Sequence, residues 1–484
     1  MIVLYIAIAI LAFLIIICTI RAAAIKATVP KETKEYPEAD GKHIEHIAEA
    51  VKFRTLSNED ENKVDWKVFD AFLDFVKNTY PNVHSKCEIL DAGYTRIYIL
   101  RGTDKTKLPV AFLAHYDVVP AGADQAEKWT CEPFCGKVED GYIWGRGSLD
   151  DKTDLIMKLE TFEELLKEGY RGGRDLYLCM GHNEEISGVA NPDSGANRAV
   201  AVLKKLGIRF FMVCDEGSAY MDGSIFGFKG SFVSPIGVVE KGKVDIHVTA
   251  KAKGGHSSTP PKKTALSAAA KAALKIDRRN MKARYSPALK MIFKEAGPYF
   301  KFPVRLIVCN MWLFGPLVKV AALQIPVAAA FFRTTKALTM AHGSEAYNIL
   351  PQEAVMTFNF RIASFDSVEK VANHVKKAGG KKAEYIVGRH SEPSTTSKIN
   401  DEAYNILKST IIEMRPNTIV VPYINVGGTD STAYHAVCDN VYRFAPLTYD
   451  KDNWESVHGA NEKIKIDTLS LIPAFYKRLI EKLN

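Results

Sequence analysis

The hydrophobic pattern divides the chain at once. Ile2 to Ile20 is a run of nineteen residues without a charge, long enough to cross a bilayer core as a helix. Met1 leads straight into it, without the basic leader and short apolar core of a secretory signal. The run therefore reads as an uncleaved, single-pass membrane anchor, although Ala22-Ala23-Ala24 leaves cleavage open. Arg21, Lys26, Lys31 and Lys34 flank its C-terminal end, which by the positive-inside bias favours a cytoplasmic bulk. The side of the membrane stays open. Residues 1–26 are thus an anchor or signal, and residues 27–42, charged and proline-containing, a linker.

From His43 the periodicity becomes that of a globular protein. Ile44, Ile47 and Val51, then Phe69, Phe72, Leu73 and Val76, recur at helical spacing. Strand-like runs at 95–100, 109–114, 176–180 and 210–214 alternate with helix-like segments at 155–168 and 198–206. Such alternation predicts an α/β fold, a sheet with flanking helices. After Lys243 the texture changes: strands at 245–250 and 353–362 accompany helices at 265–276 and 368–377. We read 243–389 as an inserted α+β lid that also serves for dimerisation, and 43–242 with 390–484 as the larger domain. Helices at 402–415 and 469–483 complete it.

Residues 299–332 are unusually apolar, with Trp312, Leu313, Phe314, Leu317, Phe331 and Phe332 interrupted by prolines and lysines. The stretch is too broken for a second span. Core and dimer-contact helices are the main expectation, with a greasy substrate channel or a lipid-resting surface as the alternative.

At 484 residues and 47% hydrophobic content, the chain exceeds one single-core domain. Its net charge of +8 is modest, and its Lys and Arg are scattered, which argues against nucleic acid as a partner. The eight cysteines show no zinc-ribbon spacing. Cys131 and Cys135 are close enough for a local disulfide in an oxidising compartment, and unpaired thiols are the simpler reading.

Against that frame, five ligand-type residues stand out: His115, Asp150, Glu185, Asp215 and His458. They follow apolar runs or sit in glycine-flanked loops, and strand ends are where α/β sheets gather ligands. A two-zinc centre needs one bridging carboxylate with an imidazole and a carboxylate on each outer side. Asp150 is the natural bridge. Successive members lie 35, 35, 30 and 243 positions apart, so only a folded sheet can assemble them. Asp117 is placed to orient the imidazole of His115. Of the adjacent pair, Glu185 is assigned to metal and Glu184 to general base. Between Asp215 and Glu216 the strand-end rule favours Asp215.

Further out, His256 in a Gly-Gly-His-Ser-Ser turn could stabilise an oxyanion if the lid closes or a partner subunit supplies it. A plain surface turn is the other reading. Arg361 and Asn348 suit a substrate carboxylate, as do backbone donors from Gly427, Gly428 and Thr429.

Taken together, His-Tyr-Asp-Val-Val-Pro at 115–120, Trp-Gly-Arg-Gly at 144–147, Asp-Glu-Gly at 215–217, Gly-Gly-His-Ser-Ser-Thr-Pro-Pro at 254–261 and Val-His-Gly at 457–459 resemble the aminoacylase and carboxypeptidase S family of co-catalytic zinc metallopeptidases. The branch containing carboxypeptidase S and the N-fatty-acyl-amino-acid synthase/hydrolases is the nearest match. The resemblance implies the same five ligands, Glu184 as base, Asp117 as orienter, and a lid that often dimerises. Two departures are Thr153, where glycine is usual, and Asn183, which replaces an acid. The expected activity is cleavage of an amide bond, in a peptide C-terminus or an N-acyl amino acid. The competing reading is a membrane-tethered protein that binds metal without turnover, against which the intact Glu184 argues. A two-metal phosphoesterase is disfavoured by the lack of a basic phosphate-cradling loop.

Overall fold

The computed structural model describes residues 1–122, 127–187 and 191–484. Among them, ten strands make a mixed central sheet. At its centre Val110–His115 runs parallel to both Leu176–Gly181 and Met212–Asp215. All three strands are buried along their length, as expected of parallel strands covered on both faces. Phe112, pointing one way, packs with Leu155 and Ile156 of the helix Lys152–Lys167 and with Phe475 and Leu479 of Leu471–Leu483. Ala111 and Leu113, pointing the other way, pack with Ala199 and Leu203 of Gly195–Lys205. Burying each large side chain contributes roughly 1.5–3 kcal/mol, and together they fix which loops meet at the strand ends.

A second sheet orders Thr335–His342, Glu353–Ile362, Gly242–Lys251 and Glu384–Ser391, all antiparallel. Its apolar face, with Val244, Ile246, Phe358 and Phe360, is covered by Ala265–Asp277 and Val368–Gly379. The helices between 287 and 332 belong elsewhere: Ala288, Leu289 and Phe332 join the main core, and Pro287–Ala296 packs on the strand Thr418–Asn425. The N-terminal run forms the helix Ile2–Ala24, with mean hydropathy 3.1. Most of its side chains are exposed.

Helices expected from periodicity are present within a few residues of their predicted ends, Glu402–Met414 and Val368–Gly379 among them. Four of the longer strands were not expected from the sequence. Phe232–Glu240 and Thr418–Asn425 carry Pro235, Gly237 and Pro422 in their interiors. Thr335–His342 and Glu384–Ser391 are largely exposed edges.

Candidate metal centre

The site is built where parallel strands end. His115 closes its strand opposite Gly181, and the turn after Gly181 carries Glu184 and Glu185 at the start of a short helix. Glycine at 181 is required by crowding, because a Cβ there would lie 2.5 Å from Asp430 Oδ2. The loop that delivers Asp150 passes through Gly147 at φ 86°, with Val118 close behind it. His458 sits at φ 58°, an uncommon conformation for a residue with a Cβ and one found at functional sites.

The two carboxylate oxygens of Asp150 face different imidazoles. Asp150 Oδ1 lies 3.0 Å from His115 Nε2, and Oδ2 lies 3.0 Å from His458 Nε2. Glu185 Oε2 is 3.1 Å from the same His458 nitrogen. Ligand atoms of His115, Asp150 and Glu185 all fall within 4.8 Å of one another. The family fit is supported by more than proximity, since Glu185 Oε1 is buried without a hydrogen-bond partner, an uncommon state for a native polar atom.

Charge tells the same story. Burial, then Asp150, pushes Glu185 up to about 7. Burial likewise holds Glu184, Asp215 and Glu216 above the ordinary carboxylate range, and Asp430 up to about 8. Burial would also raise Asp150, but hydrogen bonds with His115 and His458 hold it well below. Hydrogen bonds to Asp150 and Glu185 raise His458 to about 10. Buried acids gathered around one cavity suit a cation, and the mixture of imidazole and carboxylate donors is one that zinc accepts.

Asp117 does more than face His115, whose Nδ1 is 3.3 Å from Asp117 Oδ1. Its carboxylate also accepts from the N–H groups of Glu184 and Glu185 and from Ser57 Oγ. One buried acid thereby touches both the imidazole, whose Nδ1 also lies 3.0 Å from the backbone O of Asp117, and the glutamate turn. Asp215 is buried, with Oδ2 accepting from Ser431 N–H at 2.9 Å, whereas Glu216 lines the cavity.

That cavity, of about 460 Å³, is lined by Asp150, Glu184, Glu185, Glu216 and His458, and also by Lys243 and Arg361, register partners on adjacent strands of the second sheet. Gly427, Gly428 and Thr429 also line it. Thr429 donates both its N–H and its hydroxyl to Glu240, so its donors face the protein. His256 and Asn348 are not brought to the cavity: both are exposed, and Ser257 N–H donates to Asn348 O in the short ladder of Gly255–His256 with Ile349–Leu350.

Two further acids matter to the site and carried no motif of their own. Glu240, ending its strand, also accepts from Arg443 Nε and so ties the loop at 427–432 to the sheet. Glu462 is fully buried, pairs with Arg146, and accepts from the N–H groups of Leu149 and Asp150. Arg146 in turn donates to Gly459 O. Only the short distance of Glu462 from His458 in sequence hinted at its part. The two departures from the family pattern are accommodated: Thr153 Oγ1 donates to Ser148 O, and Asn183 Oδ1 accepts from Gly195 N–H. Cys131 and Cys135 are both free thiols.

The family model described as Peptidase family M20/M25/M40 matches residues 111–482. The chain belongs to this family. As an M20 chain it is 33% identical over 446 residues to an N-fatty-acyl-amino acid synthase/hydrolase of Xenopus tropicalis, covering 90% of this chain and 85% of that one. It is 26% identical over 488 residues to carboxypeptidase S of Saccharomyces cerevisiae, covering 90% and 83%. An M20 family metallo-carboxypeptidase from Sulfolobus solfataricus shares the fold with a TM-score of 0.68 at 16% identity, over 92% of this chain and all of that one. The M20 chain is therefore of a peptidase and hydrolase class whose members include carboxypeptidases and N-acyl amino acid hydrolases.

Proposed function

We propose that this M20 chain is a two-zinc amidohydrolase that cleaves an amide bond next to a free carboxylate, in an N-acyl amino acid or at a peptide C-terminus. The observation that carries the reading is Asp150, each of whose oxygens lies 3.0 Å from a different imidazole. His115 with Asp215, and His458 with Glu185, would hold one zinc each, and Asp150 both. Zinc bound there would supply Lewis acidity and lower the proton affinity of water.

The chain's own groups do the rest. Glu184, whose burial raises its proton affinity, takes a proton from the attacking water and returns it to the leaving nitrogen. Asp117 keeps the imidazole of His115 in one orientation. Lys243 and Arg361, which line the cavity from the second sheet, suit the substrate carboxylate. His256 and Asn348 would act only if the lid moved or a second subunit presented them.

The test is Glu184→Gln in purified protein assayed against acyl amino acids and peptides, with zinc measured by elemental analysis. The expected outcome is two zinc ions retained and turnover lowered about 10²–10⁴-fold. Full activity in this variant would sink the assignment of the base. A wild-type protein without bound zinc would sink the centre itself.

A further inference from the structure

We propose that the helices between residues 302 and 332 are seated in a lipid bilayer beside the N-terminal helix, holding the catalytic cavity at the membrane surface. The inference rests on reading Ile2–Ala24 as a retained anchor. Phe302–Val308 and Met311–Ala322 meet at a bend of 102° and together are apolar enough to embed. A sharp bend suits a re-entrant or interfacial element better than a crossing. Phe302, Trp312, Leu317, Val320, Ile325 and Val327 are all exposed, Val327 to 74%. Exposed apolar side chains gathered in one segment mark an interaction surface.

Three observations make lipid the occupant. First, the patch is continuous with the anchor: Arg305 Nε donates to Ala22 O at 2.8 Å, Asn310 Nδ2 donates to Cys18 O at 3.0 Å, and Cys18 and Ala22 are buried there. Ala27 N–H donates to Pro298 O. A helix of membrane-spanning length thus emerges from the patch, so a membrane that receives one must meet the other. Second, the sequence from 296 to 344 contains no Asp or Glu, while it holds the exposed Lys301 and the half-buried Lys319, Arg333 and Lys336, besides the buried Arg305 that bonds the anchor. Basic charge beside exposed apolar side chains is the composition of a surface for anionic lipid. Third, the segment ends on the cavity wall. Lys241, which lines the cavity, donates from Nζ to Ala330 O and Arg333 O, both at 3.0 Å. A substrate with an acyl tail would then reach the centre from the bilayer.

The experiment uses the full chain reconstituted in phosphatidylcholine vesicles containing phosphatidylglycerol, with and without bromine on the acyl chains. Flotation reports the anchor, and bromine quenching of tryptophan fluorescence reports depth. Wild type is expected to float and to be quenched, and Trp312→Phe to float with that quenching component lost, since Trp66, Trp129, Trp144 and Trp454 remain. A Leu317→Glu, Val320→Glu double variant is expected to lose the same component while keeping its thermal midpoint. Flotation with equal quenching in wild type and Trp312→Phe overturns the proposal but spares the anchor, and dimer cross-linking through the patch would then name a second copy as its cover. Failure to float overturns the anchor reading and this inference with it.

Discussion

At the scale of single residues, the centre is a set of buried acids whose charge must be met by protons or by cations. The adjacent pair Asp215 and Glu216 shows how the fold separates similar side chains: one is turned towards Ser431 N–H and the other towards the cavity. With Asp215 as the outer ligand of the His115 metal, Asp215→Ala should retain one zinc per chain and Glu216→Ala two, as measured by elemental analysis after gel filtration. Retention of both ions in Asp215→Ala would hand the role to Glu216. In the same cavity, Arg361→Met should raise KM for carboxylate-bearing substrates with little effect on kcat. Losing one charge-assisted hydrogen bond of about 1.5–3 kcal/mol corresponds to roughly 10–100-fold in kcat/KM. An unchanged KM would remove Arg361 from substrate binding.

At the scale of elements, the loop after Trp144 and the loop carrying His458 are locked together by Arg146 and Glu462, a fully buried ion pair. Asp150 depends on it through its own N–H. Removing one partner leaves a buried charge uncompensated, a cost of about 3–5 kcal/mol. Glu462→Gln should therefore lower unfolding free energy by that order and zinc affinity about 10–100-fold. The double variant Arg146→Met, Glu462→Leu separates the two effects: stability in denaturant should largely return, because an apolar pair of similar volume replaces the charges, while zinc affinity stays low. If zinc affinity returned as well, the pair would be merely structural. None of this coupling was visible along the chain, where Arg146 appeared as part of a motif and Glu462 as one acid among many.

At the scale of the whole molecule, protons and metal compete for the same buried groups. Without metal, Glu185 titrates near 7 and Asp430 near 8, and His458 near 10, all above their unfolded values. The folded chain then binds more protons than the unfolded chain, so stability falls as pH rises through about 4 to 10. Each extra proton held contributes a slope of up to roughly 1.4 kcal/mol per pH unit. Chelation should therefore lower the thermal midpoint more at pH 8 than at pH 5.5, and zinc should restore it. An equal loss at both values would show that the acids are not relieved by metal.

What the sequence determined by itself was everything local: a nineteen-residue apolar run, the amphipathic helices, the continuously apolar strands of the central sheet, and the loop motifs that hold His115, Asp150, Glu184, Glu185 and His458. Side-chain periodicity and glycine punctuation are short-range properties, and a chain displays them in order. Tertiary structure alone decided which strands paired across Pro235 and Pro422, that the helices around 287–332 lie against the main core and the anchor, and that Glu240 and Glu462 support the site. These depend on contacts between residues hundreds of positions apart, and no local pattern encodes the partner of a buried charge.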